Sequence, residues 1–198
     1  YEVPVPEKSK VPSTKSTALP SSFDAREEGW VTKMSNQGQF GTCWTYSAVS
    51  AAETSLLKQG YIQDASNIDL SELQVAYGFY HRNVDEFYQT AGDLSTSGTQ
   101  GEDGYLKAGG NTLMNAMYLS QWQSMMSEDV FPNVNSYDQL LYSYEELNQL
   151  DNVSYVLDEA IFLPQDINAI KEAIIQYGSV IASYWSESEL DPYIYNTN

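Results

Sequence analysis

Residues 36–48 read NQGQFGTCWTYSA and contain the chain's single cysteine, Cys43, set between Thr42 and Trp44 with Gly41 just ahead. Downstream, Ala48, Val49, Ala52, Leu56 and Leu57 recur at helical spacing, which predicts a helix over about residues 42–59. Thr42 is placed to cap its start and Gly60 to stop it in a left-handed conformation. Cys43 then falls in the first turn, where unpaired N–H groups carry partial positive charge and favour a thiolate. The thiolate is the nucleophilic form. Gly41 has no side chain, so a substrate or another backbone can approach closely. Gln37 lies upstream across a turn containing Gly38 and Gly41. Its amide can reach the point at which the Cys43 backbone N–H is aimed. Two donors converging beside a nucleophile make an oxyanion hole, and losing one such donor raises a barrier by about 2.7–4 kcal/mol. The bland alternative for a lone helical cysteine is a small buried hydrophobe.

The chain of 198 residues suits one domain or two small lobes. Its residues are 42% hydrophobic and 13% aromatic, a globular composition. A formal net charge of −18 repels phosphate backbones and anionic bilayers, so nucleic acid is not an expected partner. No apolar run approaches the ~18 residues of a membrane-spanning helix, and no membrane insertion is expected. No secretory signal is visible, and the start at Tyr1 reads as a mature or trimmed product. One cysteine builds neither an internal disulfide nor a zinc site. The paired acids Asp85-Glu86 and Glu102-Asp103 lack calcium-loop spacing and read as solvated charge. No metal and no cofactor is expected.

Residues 1–18 are rich in Pro, Ser, Thr and Lys and read as an extended arm, a linker or propeptide remnant. A second helix is predicted over about Ser71 to His81, with Leu73, Ala76, Tyr77 and Tyr80 on one face and Ser71 or Asp69 at its cap. Residues 90–104 form a Gly/Ser/Thr loop. A third helix is expected from Thr112 to about Trp122, carrying Leu113, Met114, Met117 and Tyr118. Residues 130–149 read as irregular, with Tyr137, Tyr142, Tyr144 and Tyr155 read mainly as core or interface packing. Val153 to Ile161 and Val180 to Trp185 read as strands, and Pro164 and Asp166 open a helix that Gly178 closes. Helices first and strands late suggest an α+β protein with segregated lobes.

The nucleophile stretch extends the resemblance. Asn36-Gln37-Gly38, Gly41, Cys43-Trp44 and Ser47-Ala48 resemble the active-site segment of the papain-like cysteine peptidases. Residues 19–26, LPSSFDAR, with Gly29-Trp30-Val31-Thr32, look like the start of the mature enzyme in that family. Asp69-Leu70-Ser71-Glu72 looks like its Leu-Ser-Glu helix start, and Ala108-Gly109-Gly110-Asn111 like its substrate-pairing glycines. The resemblance covers about residues 19–185. It implies a two-lobe fold: a helical first lobe over 19–130 and the incomplete start of a strand-rich second lobe over 131–198. It further implies Cys43 as nucleophile, Gln37 as oxyanion donor, Gly109 and Gly110 as the substrate-binding edge, and Trp44 as packing behind the nucleophile. The partner would be a protein or peptide substrate.

Two departures qualify this reading. Phe40 stands where many members carry a disulfide cysteine, which points toward the bacterial branch, often secreted or at the cell surface. The family also needs a His as base and an Asn or Asp to orient it. The expected spacing projects that His onto about residues 173–193 or later. The chain's one His is His81, close after Cys43 in sequence, at the end of the second helix. A surface residue complementing the helix dipole is the better reading of it. Three explanations follow, in order: a cleaved enzyme whose C-terminal fragment carries the His, a truncated chain, or a degraded pseudo-enzyme. The function expected is peptide-bond hydrolysis through a thioester. The alternative is a catalytically inactive papain-like binding or adhesion module.

Overall fold

The computed structural model describes residues 19–80, 104–120, 125–134 and 155–183. The arm over 1–18, His81, the acid pairs, nearly all of the 90–104 loop, Trp122 and Tyr137, Tyr142 and Tyr144 lie outside the described residues.

Helix α1 spans Cys43–Lys58, α2 Glu72–Tyr80, α3 Thr112–Leu119 and α4 Ile167–Tyr177. Single 3-10 turns at Ala65–Asn67 and Gly104–Leu106 join them. The C-terminus of α1 follows the sequence expectation. Gly60 takes φ +76°, its N–H donates to Leu57 O at 3.0 Å, and the Tyr61 N–H donates to Leu56 O at 3.0 Å. These crossed bonds form a Schellman stop, which needs the left-handed residue that glycine supplies. At the other end the expectation fails. Thr42 makes no side-chain cap bond, and its backbone lies at φ −112°, ψ 11° rather than in the extended region of a capping residue. The buried Oγ1 of Thr42 has no hydrogen-bond partner among the described residues. Its carbonyl instead accepts the N–H and the hydroxyl of Thr45, each at 2.9 Å.

Helix α2 sits in the middle of the structure. Leu73, Val75 and Ala76 are fully buried, with Tyr77 and Tyr80 close behind. Ser71 caps it, its Oγ accepting the Gln74 N–H at 3.1 Å. Gln74 stands where a capping box would return a bond. Its side chain turns to α3 instead, donating to Tyr118 Oη at 3.3 Å. Gly78 makes that crossing possible: a Cβ there would lie 1.9 Å from Tyr118 Oη. Two apolar clusters flank α2. Phe40, Trp44, Leu73, Ala76, Tyr77, Tyr80, Tyr105, Leu106 and Phe131 form one, beneath the start of α1. Val49, Leu57, Ile68, Leu70, Val75, Tyr118, Leu119 and Met125 form the other.

Helix α3 stops at Leu119, short of Trp122, with Ser120 as its C-cap. It buries Asn115, Tyr118 and Leu119, while Met117 is 53% exposed. Asp166 caps α4 by accepting the Asn168 and Ala169 N–H groups, and Gly178 ends it at φ +97°. A Cβ at Gly178 would lie 2.7 Å from Thr54 Cγ2, so the end of α4 rests on α1. The expected strands do not form among the described residues. Tyr155 makes one isolated antiparallel bridge to Met125, and residues 156–161 and 180–183 form no strand with other described residues. Apolar alternation marks a segment that would suit a sheet, but a strand exists only where a neighbour accepts its ladder.

Candidate active site

The site is built where three segments meet: the turn at 36–41, the start of α1, and the loop at 104–111. In the turn, Asn36 Oδ1 accepts the Gly38 N–H at 2.9 Å, and Gly38 takes φ +62°. Gln37 Nε2 donates to the Phe40 carbonyl at 2.7 Å, which holds the amide against the turn. An amide carries two N–H groups, so one remains for a further acceptor. Gly41 then runs against the loop, its N–H donating to Leu106 O at 2.6 Å. A Cβ at Gly41 would lie 3.3 Å from that carbonyl and 3.5 Å from Gly109 N. The close approach expected at Gly41 is thus made by the protein's own backbone.

Cys43 is the first residue of α1 and is exposed. The Cys43 and Trp44 N–H groups, at the first two positions, have no carbonyl within the helix to bond. Cys43 therefore brings a thiol and a backbone N–H without an intrahelical acceptor together at the start of α1. Directly behind it, Trp44 is buried against Phe79 and Tyr80, with ring centroids 5.6 and 6.3 Å away, both edge-on. Gly110 lies on the Trp44 indole so closely that a Cβ there would sit 2.3 Å from Trp44 Cδ2. Gly109 takes φ +74°, and Tyr80 Oη donates to its carbonyl at 2.9 Å. Sequence reasoning missed Tyr80, which read only as a core face of α2. It also missed Asn115, whose Nδ2 donates to Trp44 O at 2.7 Å from within α3. A buried amide inside an apolar helical face was the available signal for Asn115.

The structure brings Cys43, Trp44, Gly109 and Gly110 into one assembly, with Gln37 in the adjoining turn. No imidazole is among the described residues, since His81 lies outside them. Four carboxylates form a cluster: Asp69, Glu53 and Glu128 interact with Lys33, and Glu72 with Glu53 and Glu128. Glu53 accepts the Thr32 hydroxyl at 2.5 Å and the Leu70 N–H at 2.8 Å, and Asp69 pairs with Lys33 at 2.5 Å. Glu72 accepts from Asn133 Nδ2. Burial pushes Glu72 up to about 7, against the opposing pull of the Asn133 amide. Burial also raises Glu53, and burial with the neighbouring Asp69 raises Glu128. Among the described residues no group of three or more His, Cys, Asp or Glu is arranged to hold a metal ion. No described helix is long and apolar enough to cross a membrane.

This arrangement matches the helical first lobe of the papain-like fold. The family described as papain family cysteine protease matches residues 19–77. A cysteine protease of Blomia tropicalis is 30% identical over 144 residues, covering 72% of this chain and 40% of that protein. The digestive procathepsin L 3 of Tenebrio molitor larval midgut superposes with a TM-score of 0.52 at 23% identity, over 82% of this chain and 43% of that one. The cysteine protease and lectin-like domains of Cwp84, a surface layer associated protein of Clostridium difficile, superpose at 0.51 and 21% identity, over 83% and 31%. The chain spans less than half the length of these relatives. Family match and relatives together support the papain-like cysteine peptidase family for this chain.

Proposed function

We propose that this chain is the nucleophile-bearing part of a papain-like cysteine endopeptidase. The observation that carries the reading is an exposed Cys43 at the first position of α1 with the Gly109-Gly110 edge braced on the next residue, Trp44. Cys43 Sγ attacks the scissile carbonyl and forms a thioester, releasing the amine; water then hydrolyses the thioester. The Cys43 N–H and the second N–H of Gln37 hold the tetrahedral oxyanion. Gly109 and Gly110 pair with an extended substrate backbone. The proton is shuttled by a His on a C-terminal segment outside these 198 residues, because His81 follows α2 rather than the second lobe. On this reading residues 19–130 are the first lobe and 131–198 begin the second. The lone cysteine and the likeness to Cwp84 favour a secreted or cell-surface bacterial enzyme.

The single His favours one rival, an inactive papain-like binding module at the cell surface. A peptide-library cleavage assay on the full-length protein and its Cys43→Ala variant separates the two. Cleavage that disappears in the variant supports the peptidase. Failure of the wild type to cleave any peptide would sink it in favour of the module.

A further inference from the structure

Resting on the reading of Gly109-Gly110 as the substrate edge, we propose that Tyr80 is a positioning residue that aims the Gly110 N–H at the substrate backbone. Tyr80 ends α2 with its ring buried and its hydroxyl bonded to Gly109 O at 2.9 Å. The peptide between Gly109 and Gly110 is trans, as every described peptide bond is. In a planar trans peptide the C=O and the following N–H point in opposite directions. Drawing the Gly109 carbonyl inward to Tyr80 therefore turns the Gly110 N–H outward. Gly110 is exposed, and no described residue accepts its N–H. The ligand class that takes such a donor is a carbonyl of an extended peptide.

Two features fix the height of this donor as well as its direction. The Trp44 indole lies under Gly110, so the backbone cannot sink. Gly109 sits at φ +74°, where the chain turns, and the Tyr80 bond closes that turn. Tyr80 also packs edge-on against Trp44 at 6.3 Å. One ring pair thereby supports both the residue after the nucleophile and the edge that would hold the substrate.

The test uses Tyr80→Phe in the full-length protein, which keeps the ring and removes only the hydroxyl. The probe is a blocked hexapeptide cleaved by the wild type, with a reduced-amide analogue lacking the carbonyl opposite Gly110. We expect KM to rise about three- to tenfold with kcat within about twofold, the size of one lost hydrogen bond. In a Cys43→Ala background, removing the ligand carbonyl should weaken wild-type binding several-fold and leave Tyr80→Phe nearly unaffected, a coupled cycle. Additive effects of the two changes, with normal peptide binding, overturn the role of Tyr80 alone. Absence of any peptide binding by the wild type overturns the substrate edge itself, and this inference with it.

Discussion

A single methyl group added at Gly110 would meet the Trp44 indole at 2.3 Å, and the buried indole has no room to retreat. Trp44 is buried, edge-packed on two rings, and its carbonyl is held by Asn115. Gly110→Ala should therefore destabilise the fold by about 1–3 kcal/mol, the usual cost of overpacking, read as a lowered urea midpoint. An unchanged midpoint would mean that the indole can tilt away. Gln37 poses a different question at the same scale. Its amide already holds the Phe40 carbonyl, so one N–H shapes the turn while, in the proposed mechanism, the other serves the oxyanion. Gln37→Ala should lower kcat of the full-length peptidase by about 10²–10³-fold with little change in KM. A change confined to KM would assign Gln37 to the turn and not to the transition state.

At the scale of elements, helix α1 was legible at one end and not at the other. Gly60 could be read because a left-handed stop requires a residue without a Cβ, and sequence states where that residue is. Thr42 could not, because whether a threonine caps or points inward depends on ψ, which tertiary packing sets. Its orphaned hydroxyl makes a prediction: Thr42→Val, of similar shape, should leave stability unchanged or raise it by about 1 kcal/mol. A clear loss in a thermal melt would show that the hydroxyl has found a partner. The Asp166 cap of α4 and its Gly178 stop were both readable from residue type alone. The strands expected at 153–161 and 180–185 were not realised among the described residues, where Tyr155 and Met125 make only a single bridge. Strand formation depends on a neighbour that local sequence does not name. The candidate site divides likewise: Cys43 and Gln37 stood out by residue type and position and Gly109 and Gly110 by family resemblance, whereas Tyr80 and Asn115 became visible only once α2 and α3 were folded onto α1.

At the scale of the whole molecule, the acidic balance matters most where it is buried. The Glu72 carboxyl, pushed by burial to about 7 from an ordinary 4.5, interacts with Glu53, Glu128 and Tyr46, and Lys33 and Asp69 in turn interact with Glu53 and Glu128. A folded-state value above the unfolded one means the folded protein holds the proton more tightly. The stabilisation is fully present below about 4.5 and is lost as pH rises through about 7. Glu53 and Glu128, also raised, act in the same direction. Urea unfolding at pH 5 and pH 8 should differ by on the order of 2–3 kcal/mol from Glu72, with the acidic side more stable, and Glu72→Gln should flatten that difference. Equal midpoints at both values would show that the cluster stays hydrated.

The claim on which everything else rests is that Cys43 is the attacking atom of a peptidase. Mass spectrometry after acid-quenching the full-length protein with a blocked peptide ester tests it most directly. The peptide fragment carrying Cys43 should gain the mass of the acyl group, lost on treatment with hydroxylamine and absent from Cys43→Ala. Turnover that survives in Cys43→Ala, or a wild type that is neither acylated nor active, contradicts the account.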